Sequence, residues 1–526
     1  MQKFFLGLDA STQSLSSILL DLDSGTVLDD RSVNFDQALP AYRTSSGVVR
    51  GREAHEVGSY PLMWVEALDL LFEGMRQDQL PLEEVLAISG SGQQHGSVYL
   101  NDTAASRLAV LDPKRSLADH LKGVFTREIS PVWMDSSTGV ECGEIRNLLG
   151  GKAAAIELTG SDVFERFTGA QIRKFSQQHP EAFAETAHIA LVSSFMSSIL
   201  CGRISPMDVG DGAGMNLMDL TSFSWSPLAI QATARTLGAK LPPLVGSETV
   251  LGPVSPYFVH KYGLHSQAQA VVWSGDNPCS LIGTGLVEPG MMAISLGTSD
   301  TLFGAMADCH TDPRGEGHVF GSPAGGYMTL ICFKNGSLAR ERVKDYHGYD
   351  WDAFSEALRA TPPGNGGSMM LPWFEAEIVP RVNRPGVRRH QLDPYDGPAN
   401  CRACVEAQML SMRLHSAWMG EAPQRIYATG GASSNPEILR VMADVHNAPV
   451  FRQETANGAA LGAALRAAHA WAKEQGDDIS WKEIVAPFTR PVAGSRVDPD
   501  PEAVGIYNEM IDRYKAFEEG TLKEFI

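Results

Sequence analysis

Runs of apolar and polar positions sort the first hundred residues into elements. "KFFLGLDA", "LSSILLDLD" and "TVLDDRSVNFD" are apolar or alternating runs divided by "STQS" and "SGT". Such runs between small-residue turns predict consecutive antiparallel strands, a β-meander. "YPLMWVEALDLLFEGMRQ" then places Trp64, Leu68, Leu71 and Phe72 at i, i+4, i+7 and i+8, the spacing of one buried helix face. "EVLAISGSGQQHGSVYL" reads as strand, glycine loop, strand.

The opening plan returns far along the chain. In "GMMAISLGTSDTLFGAMA" an apolar strand, a small polar turn (Gly297, Thr298, Ser299, Asp300) and another apolar strand repeat it. Two copies of one supersecondary unit predict two related α/β domains facing each other across a cleft. The boundary is expected just before "AVVWSGDNPCS", giving domains 1–269 and 270–526. "IYATGGASSNPEILRVMADVHNAPVF" reads as strand, loop, helix, strand, with Asn435 as N-cap, Pro436 in the first helical position and Glu437 complementing the dipole. "ANGAALGAALRAAHAWAKE" is a second helix, whose Gly458 and Gly462 permit a neighbour to approach closely.

Composition removes several function classes. A chain of 526 residues with 43% hydrophobic and 20% charged positions is a folded globular protein of at least two domains. The net charge of −19 excludes a surface built for nucleic acid, though not a small phosphorylated ligand held by backbone N–H groups. No run approaches the roughly twenty apolar residues that span a bilayer, and no secretory pattern opens the chain, so a cytoplasmic protein without a membrane partner is expected. Seven cysteines fit reduced thiols, and Cys401 and Cys404 form a CxxC inside a helical pattern without a second pair at zinc spacing.

Against that background four constellations carry chemistry. Turns 9–14 and 297–300 are built of small residues that leave backbone donors uncovered, with Thr12, Thr298 and Ser299 adding hydroxyls. Asp9 is placed to hold a hydrated Mg²⁺. "ATGGASSN" lets a flat ligand lie against Gly430 and Gly431 at the end of a strand, while the absence of a P-loop sequence removes one large ATPase class. "WSGDNPCS" puts Asp276 and Asn277 between an apolar strand and an apolar helix, where a carboxylate can take the proton of an attacking hydroxyl. His95 and Arg166, with Trp133 and Asp135 behind them, are polar groups able to point donors at a polyol. Each of these has an ordinary structural alternative as a turn, cap, core histidine or ion pair.

In order, "SGSGQQHGS", "PVWMDSST", "LTGSDVFERFTGAQI", "MDVGDGAGMNLMDL", "SGDNPCSLIG", "ISLGTSDTLF", "CFKNGSLARE" and "YATGGASSNPEILRVMADV" resemble the FGGY carbohydrate kinases over nearly the whole chain. Within that family they look most like xylulose kinases of the animal type. The resemblance implies two actin/hexokinase-like (ribonuclease H-like) domains and ATP-dependent phosphorylation of D-xylulose to D-xylulose 5-phosphate. It implies that His95, Arg166, Asp276 and Asn277 hold the sugar, with Asp276 as general base. Ser11, Thr12 and Gln13 beside Asp9, and Gly297, Thr298 and Ser299, would take the phosphates of ATP, with Mg²⁺ held by Asp9 through water. Trp351, Gly430, Gly431, Ala432 and Asn435 would hold the rest of the nucleotide, in a monomer or homodimer. A kinase for ribulose or another polyol, and a sensor of the same fold, stay open beside this reading. The chain departs from the broad family at Gln177, three places after Lys174, where tryptophan is common, and segment 361–400 matches it poorly.

Overall fold

The three opening runs form strands Phe4–Ala10, Ser14–Asp21 and Thr26–Asn34, paired antiparallel in sequence order. All seven residues of the first strand, Asp9 included, are buried, as its central place in the sheet requires. On its other side runs the parallel strand Val85–Gly92, which places Asp9 between Ser16 and Ser91. Strands Gln269–Val271 and Val250–Pro253 complete the sheet beyond Val85–Gly92, and the short Ser274–Gly275 continues along that strand's end. Helix Pro61–Gln77 buries the expected Trp64, Leu68, Leu71 and Phe72.

A second sheet repeats the arrangement. Its strand order is His318–Gly321, Tyr327–Phe333, Asp300–Met306, Met291–Leu296, Arg425–Thr429, Val450–Arg452. Met291–Leu296 and Asp300–Met306 make the antiparallel hairpin, and Arg425–Thr429 and Val450–Arg452 run parallel to its first strand. The hairpin-then-parallel plan is that of the first sheet, as the repeat in the sequence predicts. Segment 361–400 holds an antiparallel ribbon of Met369–Leu371 with Arg388–His390.

The computed structural model describes residues 3–51, 53, 55–454 and 457–524. It divides into two compact units: Met1–Val287 with Phe320–Tyr327 and Ala456–Thr489, and Glu288–Val319 with Met328–Thr455 and Arg490–Ile526. This differs from the division expected at 269/270. Residues 270–287 stay with the first unit, and so does helix Gly458–Glu474, which lies far along the chain. The head of that alanine-rich stretch, Ala456, lies outside the described residues.

Small residues explain why this helix belongs there. A Cβ on Gly7 would lie 2.0 Å from the Ala460 carbonyl oxygen, and one on Gly462 would lie 1.8 Å from that of Cys279. Gly283 and Gly458 meet in the same way at 1.9 Å. Backbone therefore rests on backbone, and the apolar face of Ala460, Ala464, Leu465 and Ala468 closes over Phe5, Ile18 and Leu20. Among the described residues no helix is long and apolar enough to cross a membrane. Cys401 and Cys404 sit buried in helix Gly397–Ser416, where burial pushes both thiols up to about 12.

Candidate active site

In the first unit, the chemistry gathers at the carboxyl ends of the parallel strands, the usual place for ligands in such sheets. Asp9 is the penultimate residue of its strand and is 7% exposed. Ser91, opposite it in the register, donates Oγ–H to Asp9 Oδ1 at 2.7 Å, and Ser11 donates to Oδ2. Burial raises the Asp9 pKa despite these two hydrogen bonds. In the turn that follows, Ser11 N–H is spent on Ser14 O, at 3.0 Å. The N–H groups of Thr12 and Gln13 make no hydrogen bond among the described residues. Thr12 Oγ1 receives the Trp133 indole N–H at 2.8 Å.

Asp276 opens helix Asp276–Gly283, directly after the strand end Ser274–Gly275. Its Oδ1 accepts from Gln94 N at 3.3 Å, from Asn277 N at 2.9 Å and from Asn277 Nδ2 at 3.2 Å. All three bonds fall on one oxygen, leaving Oδ2 without a partner among the described residues. Burial and then the charge of Asp9 raise its pKa to about 7, against the lowering pull of the backbone donors. A carboxyl poised there is suited to general-base work at neutral pH.

His95 is buried in a left-handed conformation, φ 70°, beneath Phe167 at 4.3 Å between ring centroids. Arg166 lies over the rings of Phe164 and Phe167 at 5.4 and 5.5 Å, so "FERF" forms the wall of aromatic faces that sets both groups. Burial, and then the Arg166 charge, push the His95 pKa down to about 3, leaving a neutral ring. Its Nδ1 is 2.8 Å from the Gly214 carbonyl, which can only accept, so Nδ1 carries the proton. Nε2 is then an acceptor, not the donor that the sequence suggested. Asp135 likewise leaves the candidate set, because it receives Val57 N, Ser137 N, Ser137 Oγ and Gln171 Nε2 at 2.7 to 3.0 Å in a buried structural knot.

In the second unit, a pocket of about 500 Å³ is lined by Glu341, Trp351, Ser355, Gly431, Ala432 and Asn435, among others. Trp351 is 44% exposed and offers a ring face at the start of helix Trp351–Ala360. Asn435 caps helix Pro436–His446, receiving Glu437 N and Ile438 N, and gives Nδ2 to Ser355 Oγ at 2.8 Å, joining two walls. Gly431 faces open space, as a contact with a flat ligand needs. Gly430 does not line the pocket. Its φ is 81° and a Cβ would lie 2.6 Å from Leu296 O, so it is a packing glycine against the neighbouring strand.

Turn 297–299 leads into strand Asp300–Met306 and meets the same unit's helix Ser337–Tyr346, whose Ser337 N donates to Gly297 O at 2.8 Å. Asp300 differs from Asp9. It is fully buried and holds Arg340 through two 2.9 Å bonds, a bidentate pair with both side chains at 0% exposure. The sequence gives no sign of this pair, because its members stand forty places apart. Gln94 and Asp211 stand in "SGSGQQHGS" and "MDVGDGAGMNLMDL", two of the motifs that carry the resemblance, but the sequence gives no sign that their side chains meet.

Residues 126–283 match the N-terminal domain, and residues 292–471 the C-terminal domain, of the FGGY family of carbohydrate kinases. The chain belongs to that family. It is 41% identical over 488 residues to "Xylulose kinase 2" of Arabidopsis thaliana, covering 89% of this chain and 87% of that one. It is 40% identical over 528 residues to "Xylulose kinase" of Rattus norvegicus, covering 99% and 97%. In fold it is similar to the xylulose kinase from Rhodospirillum rubrum, with a TM-score of 0.82 at 22% identity, covering 99% of both chains. Plasmodium falciparum glycerol kinase with ADP aligns at a TM-score of 0.74 and 14% identity, covering 98% of both. The two-domain actin/hexokinase-like fold is therefore that of the chain.

Proposed function

We propose that the chain is an ATP-dependent kinase that transfers the γ-phosphoryl group to the terminal hydroxyl of D-xylulose, giving D-xylulose 5-phosphate and ADP. The observation that carries this is Asp276, with one free oxygen and a pKa near 7 at the head of a helix. The near-full-length identity to the rat xylulose kinase supports the choice of sugar.

Asp276, His95 and Asn277 each have a role that their bonding leaves open. Asp276 Oδ2 takes the proton of the 5-hydroxyl as that oxygen bonds to the γ-phosphorus, and the bond from phosphorus to the bridging oxygen breaks with release of ADP. His95 Nε2 accepts a sugar hydroxyl proton, and the Arg166 guanidinium donates to a sugar oxygen. Asn277 spends Nδ2 on its neighbours and keeps Oδ1 for the substrate. The N–H groups of Thr12 and Gln13, and separately turn 297–299, are donors for phosphate oxygens, while the Ser11 and Thr12 hydroxyls are spent on Asp9 and Gln93; Trp351, Gly431, Ala432 and Asn435 take the base and ribose.

Mg²⁺ fits Asp9 as a water-mediated ligand. Both Asp9 oxygens accept one serine hydroxyl and keep a further lone pair, and a nearby second carboxyl favours a cation. When bound, Mg²⁺ neutralises charge on the phosphate oxygens. The seven cysteines, none assigned to a disulfide, suit a reducing cytoplasm. A panel of D-xylulose, D-ribulose, glycerol and gluconate, assayed by coupled ADP detection, tests the substrate. The highest kcat/KM is expected for D-xylulose, and a clear preference for another polyol would defeat the assignment.

A further inference from the structure

Asp276 is the outer end of a buried polar chain. Asn277 Nδ2 donates to Gln94 Oε1 at 2.6 Å, and the Gln94 main-chain N–H donates to Asp276 Oδ1. Gln94 is therefore tied to both residues by two different groups. Its other end points inward, where Nε2 meets Asp211 Oδ1 in a donor–acceptor approach short of a well-formed hydrogen bond. Neither atom has another partner among the described residues. Asp211 Oδ2 accepts from Ser193 Oγ, on helix Val192–Cys201.

The chain has no slack. Gln94, Asp211 and Ser193 are 3%, 1% and 1% exposed. A Cβ on Gly275 would stand 2.5 Å from Gln94 Cγ and 2.8 Å from Asp211 Oδ1, so the glycine before Asp276 leaves room for this contact and nothing else. Burial holds the Asp211 carboxyl well above the usual range, with Asp208 and Asp276 adding to the effect. The adjacent Asp208 is compensated separately. It receives Ser247 Oγ, Ser274 Oγ, Gly210 N and Asp211 N, and Arg466 stands 4.0 Å away. Asp211 Oδ2 receives the Ser193 hydroxyl and Oδ1 faces Gln94 Nε2; an asparagine keeps the Oδ1 acceptor and can turn its Nδ2 to Ser193 Oγ as donor.

We propose that Asp211 and Gln94 are positioning residues for phosphoryl transfer: Asp211, braced by Ser193, fixes the Gln94 carboxamide, which holds Asn277 and Asp276 so that Oδ2 is the oxygen left for the sugar. Asp211 is too buried to touch substrate, so its effect passes through Gln94. The proposal rests on Asp276 being the base.

The test is coupled ADP detection with D-xylulose and Mg-ATP on Asp211→Ala, Gln94→Ala, the double variant and Asp211→Asn, beside Asp276→Asn. Loosening the base by a fraction of an ångström is expected to lower kcat about tenfold in each alanine variant, with KM for ATP unchanged. The double variant should fall no further than the worse single, because both break one chain. Asp211→Asn should regain most of the turnover lost in Asp211→Ala. Parental kcat in Gln94→Ala or Asp211→Ala, losses that multiply in the double, or an asparagine variant as poor as the alanine would each overturn the proposal. Should Asp211→Ala not fold, Gln94→Ala and Asp211→Asn still decide. Turnover retained in Asp276→Asn defeats the base assignment itself, whereas an inactive Asp276→Asn beside unaffected relay variants defeats the relay alone.

Discussion

The Asp276 carboxyl is held near 7 by burial and by the charge of Asp9. A base must be ionised to work, so activity is lost as pH falls below that value and the proton returns. The kcat/KM for D-xylulose is expected to rise with pH to about 7 and then level, falling about tenfold for each unit below. A profile that stays flat between about pH 5 and 8 would remove Asp276 from the proton transfer. At this scale, letters alone are a poor guide to what lies around them. Asp9 and Asp300 both flank small polar turns, yet one faces serine hydroxyls and the other is consumed by Arg340. His95 stands out in its loop as a candidate, but its tautomer, with Nε2 as acceptor, depends on a Gly214 carbonyl that only folding brings near.

At the scale of elements, glycine decides how closely backbones meet. Replacing glycine by alanine inside a helix ordinarily adds about 1 kcal/mol of helix preference. Gly143, in helix Gly139–Leu148, has open space where a Cβ would go, so Gly143→Ala should gain in that direction. Gly462→Ala would drive a methyl group to 1.8 Å from Cys279 O, a clash with backbone that cannot rotate away. Overpacking of that kind costs about 1–3 kcal/mol or more, outweighing the gain. Urea unfolding should therefore show a raised midpoint for Gly143→Ala and a lowered one for Gly462→Ala. An unchanged or raised midpoint for Gly462→Ala would contradict the packing described. The pattern of local elements was readable because meander, amphipathic helix and N-cap each depend on neighbours within a few residues. Helix Pro436–His446 begins at its asparagine cap for that reason.

For the whole molecule, the internal repeat was visible because both sheets start from the same hairpin of small polar turns. The division of the chain was not. Helix Gly458–Glu474 joins a strand that begins at Phe4, and only the matching of Gly7, Gly283, Gly458 and Gly462 in space explains it. Sequence marks those glycines but not their partners. The first unit thereby holds Asp276, Asn277, His95 and Arg166, the residues proposed for base and sugar, while the second holds the pocket with Trp351.

The most direct measurement is turnover of Asp276→Asn, taken together with calorimetric titration of D-xylulose into the same variant. Removing a general base should lower kcat by about two orders of magnitude or more, while the affinity for sugar changes far less. Phosphorylation of D-xylulose at the parental rate would contradict the account at its centre.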